Sequence, residues 1–407
     1  MLKNILSVLG GAVGAQLVAL LAAPVITRIY LPEEFGRMTA VWALIGVVGV
    51  VASLSYEKTI VLEHNDADAR QLLVLCAKLA LVVAALVSGC IYLFDRYIDA
   101  EYFDVEHAAL FVFLGVYVVG VGKAIDFYVT RNNHFRLIAV SMLLGSVFTA
   151  IWKVTAGLGW SASAEMLLTG NIIGIMVPAA ALFWYSRASI RAHPGTGAAD
   201  ELGLLQRYSE FPKKQVPNAL LNTLQQQAPV FILAAYFGSE LVGFYGLAMA
   251  VLLRPVRALA EAVSRVYLKR VSRLAREDQR DDLLKVTGWL GLFALPFCIV
   301  LFFYGETLFG LLFGKDWGDA GRMASLMAPW VFMLIANVPT TQTLIVRRAL
   351  KFILVFNAVY LLVRVSGLVA TIYLTGNVYS AILVFSLIGF FANVIYISRG
   401  LAVARNG

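Results

Sequence analysis

The sequence predicts an all-α polytopic membrane protein with about twelve transmembrane helices, and three observations support this prediction. Hydrophobic residues make up 60% of the 407 residues and charged residues only 14%, whereas an ordinary soluble protein is about 25% charged. Apolar runs of roughly 18 residues or more recur along the chain, and each could cross about 30 Å of hydrocarbon as a helix. The alternating segments of about ten residues typical of a β-barrel are absent.

The apolar runs are separated by short polar connections. The predicted spans lie near 4–26, 36–56, 71–94, 107–130, 137–157, 163–186, 214–238, 241–263, 286–305, 323–346, 352–374 and 379–399. The longest connection, near the middle of the chain, has the Gly/Pro/Ala-rich centre "HPGTGAAD", which is typical of a linker. We therefore expect an N-terminal six-helix lobe (1–195), a cytoplasmic linker (196–213) and a C-terminal six-helix lobe (214–407) around a central cavity.

The distribution of basic residues predicts the orientation. With the N-terminus inside, 25 of the 33 Lys and Arg residues fall on the cytoplasmic side, a count that includes Arg254 and Arg257 at the inner end of their span. Five fall outside, and the other three lie within spans. Such a bias follows the positive-inside rule and places both termini in the cytoplasm of a bacterial inner membrane. The basic connection at 265–285 is expected to form an interfacial helix against anionic membrane lipids. The net charge of +8 is explained by this topology, so nucleic acid is not expected as a partner.

One stretch near the N-terminus recurs in the second half. "APVITRIYLPEEFG" at 23–36 is similar to "APVFILAAYFGSELVG" at 228–243. In each copy an apolar run closes on a short turn and an acidic residue before the next apolar run begins. The match is short and chance remains an alternative. A true repeat would make the two lobes parallel copies related by an axis along the membrane normal, as in transporters whose halves rock around a central site.

Polar and charged residues interrupt several spans, and at mid-membrane a charge costs about 2.5–3.5 kcal/mol on insertion scales. They are therefore candidates for a site in a wet bundle interior. The basic candidates are Lys123, Lys153, Arg254, Arg257 and Arg364, with Arg28 at the outer end of the first span; the neutral candidates are Asn218, Asn222, Gln225, Asn357 and Tyr360. The acids Asp126, Glu261 and Glu57 are candidates for binding a coupling ion, H⁺ or Na⁺.

Structural roles compete with these assignments. Lys123 and Asp126 lie three residues apart and could neutralise each other within one helix. Long basic side chains such as Arg254 and Lys153 could reach the lipid headgroups. Arg28 has two possible roles: it could reach the outer headgroups, or it could lie at the mouth of the cavity. The amide side chains could simply join helices by hydrogen bonds. Arg364 is the hardest to assign a structural role, because its own helix has no acid one turn away.

The charges of the set favour an anionic substrate. Basic residues outnumber acids in the spans, and a phosphate or diphosphate needs such compensation once water is removed. The sequence has no GxxxxGK[ST] motif for ATP, no metal-ligand spacing and no large outer loop with paired carboxylates. These patterns indicate a transporter without its own ATPase, without a cofactor and without enzymatic activity.

Two segments resemble a known family. "GAQLVALLAAPVITRIYLPEEFGRMTAVWALI", followed by "SYEKTIVLE", resembles the N-terminal signature of the polysaccharide transport family. The segment that contains "FPKKQVPNALLNTLQQQAPVFILAAYFGSELVGFYGLAMAVLLRPV" resembles its helix 7–8 region. These proteins are O-antigen and exopolysaccharide repeat-unit flippases, in the superfamily that includes multidrug extruders and the peptidoglycan-precursor flippase. The residues that match the first-hairpin motif are Arg28, Tyr30, Pro32, Glu34, Phe35 and Gly36. Tyr56 and Glu57 match the end of the second helix.

The resemblance implies two lobes that open alternately and a cationic lumen for the diphosphate and sugars of an undecaprenyl-linked repeat unit. It also implies a place in polysaccharide or lipopolysaccharide biosynthesis, alongside glycan polymerase and assembly proteins. Three alternatives stay open: an ion-coupled multidrug extruder of the same fold, a membrane glycan polymerase or ligase, and a lipid-binding scaffold that transports nothing. An acidic lumen would favour the extruder, whereas this sequence has an excess of cations.

Overall fold

The computed structural model describes residues 2–98, 105–192 and 198–405, and the regular elements among them are all helical. They form fourteen α-helices in the described part of the chain. These are α1 (Leu2–Ile29), α2 (Pro32–Val51), α3 (Asp66–Ile98), α4 (Ala108–Arg131), α5 (Phe135–Gly159), α6 (Ala164–Ala192), α7 (Ala198–Arg207), α8 (Glu210–Phe237), α9 (Ser239–Val271), α10 (Gln279–Phe313), α11 (Gly318–Ala336), α12 (Val338–Val346), α13 (Leu350–Thr375) and α14 (Val378–Arg405). Short 3₁₀ turns cover Tyr56–Val61 and Lys315–Trp317.

Within the described ranges, eleven helical segments are long and apolar enough to cross a membrane. They confirm the all-helical, multi-pass prediction and match eleven of the twelve predicted spans. The twelfth, predicted at 214–238, corresponds to α8, whose amide side chains lower its hydropathy. At 1.5 Å per residue, its 28 residues still extend about 42 Å, which is enough to cross the hydrocarbon.

Three boundaries differ from the sequence prediction. Helix α2 ends at Val51, earlier than predicted, because Leu54 and Ser55 take left-handed φ values of 51° and 62°. The span predicted at 323–346 is divided between α11 and α12 at Asn337, and Pro339 occupies the first turn of α12, where its missing N–H costs nothing. The prediction of a separate interfacial helix at 265–285 is wrong. Instead, α9 continues to Val271 and α10 begins at Gln279.

The chain divides into two compact units, up to Val242 and from Gly243. In the first unit, α1 packs on α5, α5 on α6, α3 on α4, and α8 on α2. In the second unit, α10 packs on α11, and both α11 and α13 pack on α14. The described core of the first unit consists mainly of branched aliphatic, alanine and tyrosine side chains from α2, α3, α4 and α6.

Glycines allow the closest helix crossings. A Cβ on Gly145 of α5 would collide with the carbonyl oxygen of Gly174 in α6, and one on Gly321 of α11 would collide with the carbonyl oxygen of Gly305 in α10. Small residues at such crossings let two backbones approach, and that packing replaces the hydrophobic driving force missing between helices in lipid. Each unit therefore contains at least one crossing that depends on glycine.

The two copies of the recurring stretch have the same local structure. The first contains the end of α1 and the start of α2, and the second contains the end of α8 and the start of α9. Their side chains differ in environment. Tyr30 is buried, whereas its counterpart Tyr236 is 57% exposed. Glu34 lies in the first turn of α2. Its carboxylate accepts a 2.8 Å hydrogen bond from the backbone N–H of Ala164 at the start of α6.

The predicted linker contains a docked helix. Leu204 of α7 is buried in the core formed with α3, α4 and the 3₁₀ turn at 56–61. At the end of the helix, the Tyr208 hydroxyl and the Arg207 guanidinium donate to Glu63 Oε2 at 2.8 and 3.2 Å. Lys78 of α3 and Glu201 form an ion pair of 2.6 Å. The centre of the Gly/Pro/Ala-rich stretch, 193–197, lies outside the described residues.

Candidate functional site

Arg254 and Arg257 lie one turn apart on α9, and both side chains are exposed. Counted from Ser239, they are about 22 and 27 Å along the helix, towards the inner end of a span that crosses about 30 Å of hydrocarbon. An arginine at that depth needs water, headgroups or an anionic ligand around it. Glu261 follows one turn later and is also exposed. This face of α9 therefore carries two accessible arginines and one accessible acid.

The predicted amide stripe on α8 is accessible. Asn218, Asn222 and Gln225 follow at spacings of four and three residues, which places them on one helix face. Asn218 and Asn222 are exposed and Gln225 is half-buried. Amides offer both donors and acceptors, as sugar hydroxyls do, so an accessible row of them suits a carbohydrate.

Lys123 and Asp126 of α4 do not pair with each other in the described structure. Lys123 Nζ instead donates a 3.0 Å hydrogen bond to the carbonyl oxygen of Gly49 in α2. Glu57 is buried at the end of the left-handed turn and accepts a 2.7 Å hydrogen bond from Ser53 Oγ. The Glu57 carboxylate is close enough to Lys123 to interact with it electrostatically. The structure thus groups Lys123 with Glu57, an association that spacing within one helix did not predict.

Lys153 and Arg28 have different surroundings. Lys153 of α5 is buried, and its Nζ donates a 2.7 Å hydrogen bond to Asn171 Oδ1 of α6. The Asn171 amide in turn approaches the Met38 sulfur at 3.3 Å. Arg28 is exposed near the end of α1, where its Nη1 donates to the carbonyl oxygen of Pro24 at 3.0 Å. Lys153 is therefore held inside the first unit, whereas Arg28 is accessible.

Arg364 of α13 is only 4% exposed and sits among aromatic rings. Its Cζ lies 3.5 Å from the ring centroid of Phe385 in α14, 4.0 Å from that of Trp330 in α11 and 5.3 Å from that of Tyr360. Its Nε donates a 3.2 Å hydrogen bond to the carbonyl oxygen of Phe385. Cation–π contacts of this kind strengthen when water is excluded. Asn357, one turn before Tyr360, is half-buried.

Sequence reasoning missed the groups that surround these candidates. Asn171, Trp330 and Phe385 gave no signal, because a single amide or aromatic residue within an apolar span is ordinary. Tyr245 is another such residue. It is 1% exposed, and its hydroxyl has no hydrogen-bond partner in the described structure. Only an alignment of related sequences or the folded chain itself could identify these residues.

Each unit carries accessible groups that suit a ligand. In the second unit the arginines of α9 can hold an anion, and in the first unit the amides of α8 can hold hydroxyl groups. The described residues contain no group of three or more His, Cys, Asp and Glu side chains arranged to hold a metal ion.

The chain is similar to proteins of bacterial polysaccharide assembly. A model of the polysaccharide biosynthesis protein family matches residues 25–322. The capsular polysaccharide biosynthesis protein CapF of Staphylococcus aureus is 22% identical over 67% of this chain and 75% of its own length. The succinoglycan biosynthesis transport protein ExoT of Rhizobium meliloti is 23% identical over 75% of this chain, but the match spans only 61% of ExoT.

Solved structures show the fold. The lipid II flippase MurJ in an inward closed conformation has a TM-score of 0.75 with 13% identity, covering 100% of this chain and 90% of MurJ. An inward-facing multidrug resistance transporter of the MATE family has a TM-score of 0.68 with 13% identity, covering 96% and 95% of the two chains. The chain therefore has the fold of the MOP superfamily, to which that transporter belongs, and the resemblance drawn from its motifs is confirmed. With the family match covering well over half of its residues, this chain belongs to the polysaccharide biosynthesis protein family.

Proposed function

We propose that this protein is a flippase that moves a polyprenyl-diphosphate-linked oligosaccharide across the bacterial cytoplasmic membrane by alternating access. The observation that carries this proposal is the pair of accessible arginines, Arg254 and Arg257, on the apolar helix α9. An anion is the ligand that offsets the cost of placing such charges there. The family and the transport role in the name of ExoT support the same conclusion.

The roles of the remaining candidates follow from their chemistry. Arg364, Lys123, Lys153 and Arg28 add positive charge for the diphosphate, while the amides on α8, with Asn357 and Tyr360, bond the sugar hydroxyls. Asp126, Glu261 or Glu57 takes up H⁺ or Na⁺ if an ion gradient drives the cycle. The two six-helix lobes, residues 1–195 and 214–407, open the site alternately to each side, with both termini in the cytoplasm. The polyprenyl tail stays among the membrane lipids.

A multidrug extruder is the second candidate function, because a MATE transporter shares the fold. Cationic drugs need acidic side chains in the site. The accessible arginines of α9 outnumber the one acid that follows them, Glu261. The charge of this surface therefore favours the lipid-linked anion. A polymerase or ligase would need catalytic acids, and its glycosyl-transfer products would distinguish it.

Reconstituted vesicles test the proposal directly. The purified protein is placed in liposomes that contain a fluorescent polyprenyl-diphosphate oligosaccharide, and a membrane-impermeant reductant measures how much probe each leaflet holds. We expect the protein to exchange the probe between leaflets at least tenfold faster than empty liposomes do. Equal rates would refute the flippase, and faster exchange of a cationic dye alone would support the extruder. Binding of the lipid without its transfer would identify a scaffold.

A further inference from the structure

The positive charge of Arg364 has an unusual environment in the second unit. Its Cζ lies over the rings of Phe385 and Trp330, at 3.5 and 4.0 Å from their centroids. The described ion pairs include no acid bound to it. Aromatic faces attract a cation but do not neutralise it. Burying an arginine without a counter-charge costs folding free energy. A ligand that supplies the missing negative charge would explain why an arginine is present at this position.

One nitrogen of this guanidinium is available for that ligand. The Nε group is occupied by the carbonyl oxygen of Phe385 at 3.2 Å, whereas the buried Nη2 has no hydrogen-bond partner in the described structure. The buried Nη2 is therefore the group of this guanidinium that a ligand could satisfy. The cage thus holds the cation and leaves one donor group unsatisfied.

Tyr245 of α9 supplies a second unsatisfied group nearby. Its side chain is 1% exposed, its hydroxyl has no partner, and it interacts electrostatically with both Arg364 and Tyr360. A phenol could accept a hydrogen bond from a guanidinium directly, but these two groups do not bond to each other. A buried hydroxyl left without a partner costs free energy, and such exceptions in native structures call for an explanation.

We propose that Tyr245 is a substrate-binding residue, and that its hydroxyl and Arg364 Nη2 together donate to one oxygen of a phosphate-type anion. This inference rests on the proposed function, and it identifies the diphosphate as the part of the substrate that enters the second unit. Both donor groups are closed to solvent in this structure. The cage around Arg364 therefore has to open towards the substrate at another stage of the transport cycle.

The shape of the cage depends on a glycine. A Cβ on Gly389 of α14 would lie 2.5 Å from Trp330 Cδ1, so a side chain at 389 would displace the Trp330 ring. The indole position is thus set by α14, the helix that also provides Phe385. A residue at this place controls how Arg364 is held without touching the anion itself.

Binding of a short-chain lipid diphosphate tests the proposal. Farnesyl diphosphate and the alcohol farnesol are each titrated against the purified full-length protein in detergent, and binding is read from the rise in unfolding temperature. We expect wild type to bind the diphosphate more tightly than the alcohol. Tyr245→Phe should weaken diphosphate binding about 10- to 100-fold, the range for a hydrogen bond to a charged group. Farnesol binding should not change.

The same substitution separates binding from folding. Because the Tyr245 hydroxyl has no partner in the folded protein, its removal should leave the unfolding temperature unchanged or raise it. Thr340→Val is the matched control, since Thr340 Oγ1 is also buried without a partner but lies on α12. The control should bind farnesyl diphosphate like wild type. Arg364→Lys, which keeps the charge but loses the planar donor edge, should weaken binding at least tenfold.

The outcomes are distinct. If Tyr245→Phe binds farnesyl diphosphate within twofold of wild type, the inference is wrong. The same conclusion follows if wild type does not prefer the diphosphate to the alcohol. Measuring lipid flipping in vesicles tests the proposed function separately from this inference. Wild-type flipping with undiminished flipping by Tyr245→Phe would refute the inference alone, whereas no flipping by wild type would refute the function.

Discussion

The Tyr30 hydroxyl at the end of α1 donates a 2.8 Å hydrogen bond to the backbone carbonyl of Lys153 in α5. The bond is buried and joins residues more than a hundred positions apart in the chain. It links the recurring N-terminal stretch to the helix that carries one of the buried cations.

Replacing Tyr30 by Phe should destabilise the protein. The Lys153 carbonyl would lose a buried donor, which costs about 1 kcal/mol of unfolding free energy. Thermal or denaturant unfolding in detergent measures the change. Tyr236→Phe is the control, since Tyr236 occupies the equivalent place in the second copy and is exposed. Equal effects of the two substitutions would contradict the role assigned to the Tyr30 bond.

Glu34 and Glu33 should differ in their effect on stability. Glu34 Oε2 accepts the Ala164 N–H at the start of α6, and both acids pair with Arg37. Loss of a capping acceptor costs about 0.5–2 kcal/mol, so Glu34→Ala should lower the unfolding free energy by that amount. Glu33→Ala removes only an exposed ion pair and should cost under about 1 kcal/mol. Unfolding of the two variants side by side provides the comparison, and a larger loss for Glu33→Ala would contradict it.

Gly321→Ala should disturb the crossing of α10 and α11. The new Cβ would meet the backbone of Gly305, and backbone atoms cannot move aside as a flexible side chain can. Overpacking of this kind costs about 1–3 kcal/mol. Gly310→Ala on α10 is the control, because nothing lies within 4 Å of a Cβ there. Alanine is also the better helix former, so the control should be neutral or stabilising when unfolding is measured.

Stability should depend on pH through Glu63, which lies outside the predicted spans. Burial raises the pKa of this carboxyl, but hydrogen bonds from Tyr208 and from the backbone of Asn65 and His64, with the charge of Arg207, outweigh it and lower the pKa below its usual value. A lowered folded-state pKa stabilises the protein above the unfolded-state value of about 4.3, and this contribution is lost as the pH falls through the folded-state value.

The pH prediction is tested with Glu63→Gln. The variant should be less stable than wild type at pH 7, and the difference should shrink as the pH falls below about 4. Unfolding at a series of pH values measures it. The control is Glu210→Gln, since Glu210 is exposed and pairs only with neighbours in its own first turns, including Lys214. A constant difference between wild type and Glu63→Gln at all pH values would exclude this ionisation as the cause.

Arginine substitutions on α9 should reduce transport while leaving the protein folded. Arg254→Gln and Arg257→Gln each remove one accessible charge from α9, and together they should slow flipping in vesicles at least tenfold. Arg364→Ala should likewise abolish glycan export at normal protein levels. The control Arg273→Gln changes an exposed cation beyond the end of α9 and should flip at the wild-type rate. Full activity of the double variant would remove the α9 pair from the mechanism.

Much of the fold could be predicted because a membrane span is specified by local composition. Eleven predicted spans correspond to apolar helices of the described chain, and the repeated hairpin motif points to the family that the wider match confirms. The prediction failed where local backbone geometry decided the outcome. The left-handed residues Leu54 and Ser55 end α2 early, and nothing in their side chains indicates that conformation.

The sequence by itself determined the helical class, the approximate spans, the excess of basic over acidic residues in those spans and the family. All of these depend on residue type and spacing along a single helix. Only the tertiary structure decided which groups surround each charge. The rings of Trp330 and Phe385 around Arg364, the cap from Glu34 to α6 and the partner Asn171 of Lys153 each come from a different helix. Such contacts arise from packing between distant segments, and the local pattern of hydrophobicity carries no record of which helix will become a neighbour.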